Sequence, residues 1–233
     1  MYNGDLIQFS ESFHSDIASM AHSYEMLREH AYVEKMSEIL IEYGDIGGCE
    51  PAHFEARGIK VDAYDFDDEY TSLTLILSHW MDYKDPLKAR VPESKLKPMI
   101  ERGWRFFKGA LSGKIQDKID ISNPAYDLAD TIYGCRKDLI SVKLLLLTDG
   151  LTKQRRAKTE IYNGIEVKAA VWDISRTHEF VKTGERQQIS IDFKDDYGGP
   201  IPCLKMPSPN GLYMTYLAFV PGAVLADLYK DFK

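Results

Sequence analysis

The sequence predicts an α/β fold in which helices flank a mixed central sheet. Three observations carry that prediction. Residues 58–80, GIKVDAYDFDDEYTSLTLILSHW, read as a β-hairpin with an acidic first strand and an almost purely apolar second one. Residues 142–150, VKLLLLTDG, read as another buried strand ending in turn residues. Helical stripes precede and separate these strands, the alternation that builds layered α/β domains, and the early hairpin sets the chain apart from a plain doubly wound sheet.

Taken in order, residues from about Glu11 to Tyr43 show helical spacing. Phe13, Ile17, Met20, Ala21 and Tyr24 form one stripe, and Val33, Met36, Ile39, Leu40 and Tyr43 a second. Gly44 stops the helix, and GGCEPAHFEARG reads as a loop. In the hairpin, Val61 and Ala63 alternate with Asp62 and Tyr64, and Asp62 shares a face with Tyr64 and Lys60. DFDDEYTS is a polar turn, and LTLILSHW, apolar on both faces, is an interior strand. A helix from about Ser94 to Leu111 buries Leu96, Met99, Ile100, Gly103, Phe107 and Ala110, with Pro98 in its first turn. Asn123 and Pro124 open the next helix as cap and first residue. Asn163-Gly164 is a strong hairpin signal, although IEVKAAVWDI alone could join the main sheet. A short helix at 175–182, strands QISIDF and LYMTYLAFV, and a C-terminal amphipathic helix complete the chain.

The 233 residues are 44% apolar and 28% charged, ordinary for a globular protein. No apolar run approaches the roughly 20 residues of a membrane span, and the polar N-terminus lacks the order of a signal peptide. Cys49, Cys135 and Cys203 show neither CxxC spacing nor an even count, which fits a cytoplasmic location without disulfides or zinc. Net charge is −7, but residues 84–118 carry ten Lys/Arg against four acids. Within that segment Arg102, Arg105 and Lys108 lie beside Trp104, Phe106 and Phe107, a mixture that can track phosphates and stack on bases. Arg155 and Arg156 in KQRRAK add a second basic cluster. Either cluster also reads simply as a solvated face.

An acid on one strand of a hairpin, with polar groups ending the next, is how nucleases of the PD-(D/E)xK type hold Mg²⁺ or Mn²⁺. Asp62 is the best carboxylate for that role, and Glu42 or Glu38 on the preceding helix could add another metal ligand. Where the motif has its second acid and lysine, the sequence has Ser78-His79-Trp80. Ser78 can touch a metal-bound water, and His79 can bind a metal or move a proton. The alternative is that Asp62 hydrogen-bonds the hairpin while His79 and Trp80 pack at the strand end. No GxGxxG, Walker, HExxH or GxSxG sequence is present.

Six segments, in order, resemble the N-terminal region of the abortive-infection phage-resistance family of bacterial proteins. They are FEARGIKVDAYDFDDEYTSLTLILSHW, NPAYDLADTIYGCRKDL, VKLLLLTDG, VKAAVWDISRTHEF, ISIDFKDDYGGPIPCL and YLAFVPGAVLADLYKDF. The resemblance implies a cytoplasmic role in phage defence and a variant of the restriction-endonuclease fold. By it, Asp62 matches the first acid of the nuclease motif, while Ser78 and Trp80 fall at the second acid and the lysine. It also implies that a further conserved region follows LADLYKDF. The expectation is one α/β domain over 1–233, with a helical arm at about 10–43 and a core at about 54–233, forming the N-terminal part of a longer protein. Three functions follow: a non-catalytic module holding DNA, RNA or a protein partner; an Mg²⁺- or Mn²⁺-dependent nuclease using Asp62; or a protein-interaction or homodimerisation module.

Overall fold

The computed structural model describes residues 2–153, 159–183, 193, 199–206 and 215–226. Residues 1–186 form one compact unit and 187–233 a second. In the first unit, helices α1 (Tyr2–Ser23) and α2 (Arg28–Tyr43) precede three strands, β1 (Glu50–Ala56), β2 (Ile59–Phe66) and β3 (Ser72–His79). Helices α3 (Glu93–Leu111) and α4 (Pro124–Gly134) lead to β4 (Ser141–Thr148), β5 (Glu160–Tyr162), β6 (Ile165–Trp172) and α5 (Ile174–Thr183). The sheet order is β1-β2-β3-β4-β6-β5. The first three strands are antiparallel, β3, β4 and β6 run parallel, and β5 closes the edge antiparallel to β6. This is the mixed sheet with flanking helices that the sequence predicts.

Both faces of the sheet are covered. Leu73, Leu75, Val142 and Leu144 pack with Phe106, Phe107 and Leu128 from α3 and α4. Ile76, Leu145, Leu147 and Trp172 pack with Ile17, Met36, Leu40 and Phe180 from α1, α2 and α5. Two-sided burial explains why β3 and β4 are continuous apolar runs without alternation. The Asn123 side chain caps α4 by accepting from the Ala125 N–H at 2.9 Å. Asn163 and Gly164, both at positive φ, turn β5 into β6. The hairpin and the parallel strand are therefore both real, and both lie in the same sheet.

Several elements depart from the sequence reading. The helical arm is two helices that break at Glu25, which takes a positive φ of 51°. GGCEPAHFEARG is not simply a loop, because its second half is edge strand β1. Pro51 and a register shift between Pro51 and Phe54 hide its period, and an edge is where a strand tolerates both. Helix α3 begins at Glu93, so Pro98 lies beyond the first turn. In the second unit, β7 (Cys203–Met206) and β8 (Thr215–Ala218) form an antiparallel pair. Of QISIDF, all but Phe193 lies outside the described residues, as do residues 212–214 of LYMTYLAFV and residues 227–233 of the C-terminal segment.

Candidate functional site

The chemistry gathers where β3 ends and β2 begins. The first turn of α2 supplies Glu29, a position where the helix dipole favours an anion. Strand β1 supplies Glu55 near its end, β2 supplies Lys60 and Asp62 two residues apart, and β3 supplies Ser78 and His79. Helix α3 approaches closely because Gly103 sits on Leu77, where a Cβ would come within 2.6 Å of Leu77 Cδ1. That contact brings Met99 and Arg102 to the opposite wall. Together with Trp80 and Leu146 these side chains line a cleft of about 190 Å³.

Lys60 is the centre of the group, with its side chain only 8% exposed. Its Nζ donates to Glu29 Oε1 at 2.5 Å, to Ser78 Oγ at 3.0 Å and to the Ser78 carbonyl at 3.1 Å. Asp62 Oδ2 stands 3.5 Å away and Glu55 Oε2 4.0 Å. Asp62 Oδ2 accepts from the Ser78 N–H at 2.6 Å. Ser78 Oγ lies 2.7 Å from Glu29 Oε1 and 3.0 Å from Asp62 Oδ2, so its single proton serves one or the other. Arg102 donates to Glu55 Oε1 at 2.6 Å and to the Ile59 carbonyl. Asp62 thus does bond across its hairpin, and it does so inside a convergent polar cluster.

The oxygens around Lys60 are the hard donors that Mg²⁺ and Mn²⁺ take. The point they surround, however, is held by an ammonium nitrogen. Among the described residues, no three His, Cys, Asp or Glu side chains gather where they could hold a metal ion. The residues as folded do not fit a divalent ion beside Lys60.

Of the sequence candidates, Asp62 and Ser78 meet and His79 lines the cleft. Glu42 does not join them. It is exposed and lies about 20 Å along α2 from Glu29, at 1.5 Å of rise per residue. Glu38 is exposed too and pairs with Lys35. The acids of the turn are spent on structure: Asp65 accepts from Gly47 and Gly48, and Asp67 from Thr71 and Ser72. Arg102 borders the cleft, whereas Arg105 and Lys108 face Glu101 from further along α3. Phe106 and Phe107 are fully buried, and Trp104 packs on Phe107 and Tyr162, so these aromatics belong to the core and do not form a base-stacking platform. Arg155 and Arg156 lie outside the described residues.

Glu29, Glu55 and Lys60 are the contributors that motif reasoning passes over. For Lys60 a signal exists: a residue two before Asp62 on one strand shares its face. The motif directs attention to β3, where Trp80 stands, while the lysine arrives from β2. Trp80 instead stacks on His14 at 4.6 Å and tilts against Tyr32.

Two imidazoles beside the cluster are held neutral. Burial pushes His79 below its ordinary 6.5; Lys60 and Lys95 assist, and Asp149 and Glu29 oppose. Burial also pushes His30 down, helped by His53, whose ring stacks on it at 3.7 Å. The unfolded chain therefore takes up protons that the folded rings refuse. Their contribution to stability is complete above pH about 6.5 and is lost as the pH falls through the folded values. Urea midpoints at about pH 7.5 and 5.5 will show this drop, and replacing both rings with glutamine will shrink it. An equal drop in that variant would refute the assignment.

A family model described as the abortive infection phage resistance protein N-terminal domain matches residues 32–179. The chain belongs to this family. Membership ties it to defence against phage. The matched span contains Glu55, Lys60, Asp62, Ser78 and Arg102, while Glu29 stands three residues before it. No curated protein and no solved structure matches the chain. Among the described residues, no helix is long and apolar enough to cross a membrane.

Proposed function

We propose that this abortive-infection domain is a non-catalytic, endonuclease-like module that holds nucleic acid for the defence protein it belongs to. The carrying observation is Lys60 Nζ at the centre of Glu29, Asp62 and Ser78. A cation supplied by the chain itself neutralises the carboxylates that a nuclease would reserve for its metal. The order of helix, three antiparallel strands, helix and parallel strand supports the endonuclease-like reading. Nucleic-acid binding is supported by α3, which carries Lys95, Lys97 and Arg105 exposed and Arg102 and Lys108 half-buried, running away from the cleft. Contacts of that kind are made to phosphates and fall off steeply with salt.

Fluorescence anisotropy with single- and double-stranded DNA and RNA at low salt tests this. The expected result is binding without cleavage in Mn²⁺. The salt slope should fall by about two in an Arg105→Ala/Lys108→Ala double variant. Absence of binding to every form would remove the proposal. One observation favours the second reading, an active nuclease: Glu29, Asp62 and Lys60 are the residue types that metal-assisted phosphodiester cleavage employs. Mn²⁺-dependent cleavage abolished by Asp62→Asn would install that reading in place of the first.

A further inference from the structure

We propose that the cleft beside Lys60 takes one unpaired guanine base, with the Glu29 and Glu55 carboxylates accepting from its N1–H and N2 amino group and Arg102 donating to its O6. The proposal rests on the nucleic-acid-holding reading and deepens it by naming what the cleft selects. Leu77, Met99 and Leu146 give the lining an apolar body, and Glu29, Glu55, Lys60 and Arg102 give it convergent polar groups, the mixture of a small-ligand site. Charge narrows the choice. Lys60 and Arg102 offset Glu29 and Glu55, His79 is held neutral by burial, and Asp62, 3.5 Å from Lys60, tips the sum to negative. A phosphate is therefore disfavoured, and the Lys60 ammonium already holds the point a cation would take. A neutral ligand with an edge rich in donors suits the cleft.

Hydrogen-bond capacity narrows it again. Lys60 spends its three protons on Glu29 and Ser78. Glu29 accepts through Oε1 from Lys60 and Ser78, and Glu55 through Oε1 from Arg102; among the described residues the second oxygen of each accepts no hydrogen bond. Arg102 donates through Nη2 and keeps its Nε and Nη1 protons. Carboxylate acceptors and a guanidinium donor are thus unspent. The base-pairing edge of guanine sets two adjacent donors beside an acceptor, whereas adenine and cytosine place acceptors where the carboxylates stand. An engineered cavity of about 150 Å³ admits benzene; this open cleft of about 190 Å³ has room for a base with its sugar outside. Arg105 and Lys108 follow Arg102 about 4.5 and 9 Å further along α3, on the path of the flanking phosphates.

Anisotropy tests this through a ratio. A labelled single-stranded oligodeoxyadenylate of about ten nucleotides is compared with the same strand carrying one central guanine, or inosine in its place. The guanine strand is expected to bind about tenfold tighter than the all-adenine strand, and inosine, which lacks only the N2 amino group, to lose most of that gain. Glu55→Gln keeps an acceptor for Arg102 and turns the second oxygen into a donor; the side chain is 58% exposed, so the fold tolerates the change. In this variant, and in Met99→Trp, which fills the cleft, the guanine preference should disappear. A preference that survives both substitutions overturns the proposal. Equilibrium dialysis with GMP alone separates the base from the strand. GMP bound by the wild type and lost in Glu55→Gln, with no strand bound, would keep the guanine site and remove the nucleic-acid-holding reading. Equal affinity for the three strands with no GMP uptake would overturn the guanine site and leave that reading in place.

Discussion

Replacing Lys60 with methionine will destabilise the fold by about 3 kcal/mol, the lower part of the range for breaking a buried ion pair from one side. The stem keeps its packing and only the ammonium is lost. Asp62, with 6% of its side chain exposed, retains its bonds from Ser78 but faces Glu29 without a cation between them. The exposure of Glu29 lets water relieve part of the strain, which holds the estimate to the lower value. Urea denaturation measures it directly, and the Lys60→Met/Asp62→Asn double variant should recover a large share, because it removes the buried carboxylate together with the ammonium and leaves only the more exposed Glu29. A loss below about 1 kcal/mol would make this an ordinary surface pair and would deprive the cleft of its organising charge.

An effect as large is expected just past the C-terminal end of β4. Asp149 is fully buried; it accepts from the Met81 N–H at 2.9 Å and lies 3.2 Å from His14 Nε2. His14 Nδ1 is in turn 2.8 Å from the Ser10 carbonyl. Ser10, His14 and Asp149 thus form a line of the residue types found in hydrolases, yet Ser10 is 0% exposed, so no substrate reaches it. The line is a strut that ties α1 to the sheet. Asp149→Ala orphans a part-buried N–H and removes the partner of a buried imidazole together, and should cost about 3–5 kcal/mol. Asp149→Asn, which preserves an acceptor for Met81, should cost less. Equal losses in the two variants would show that the carboxylate oxygen facing His14, and not the bond from Met81, carries the effect.

The parts of this fold that the sequence announced are those set by local chemistry. Strands β3 and β4 declare themselves by unbroken apolar runs, α4 by Asn123-Pro124, and the β5–β6 hairpin by Asn163-Gly164. Strand β1 stayed hidden because Pro51 and a bulge erase its period, and pairing along β2 overrides its weak propensity. The site divides in the same way. Asp62 and Ser78 were visible because a hairpin fixes their proximity within a short stretch of chain. Glu29 reaches Lys60 only through the packing of α2 on the sheet, which no local pattern encodes. Asp149 showed itself only as the acid of TDG at the carboxyl end of a buried strand, since its partner His14 lies on a helix near the start of the chain.

Trp80 joins these two regions. One side of its indole borders the cleft, and the other rests on His14, the residue through which α1 is tied to Asp149. Of the three tryptophans, Trp172 is fully buried and Trp104 packs against Phe107 and Tyr162, which leaves Trp80 alone at the cleft. The molecule therefore carries its own optical gauge. The emission of this one ring will register both what enters the cavity and whether the first helix is still docked, without any label being attached.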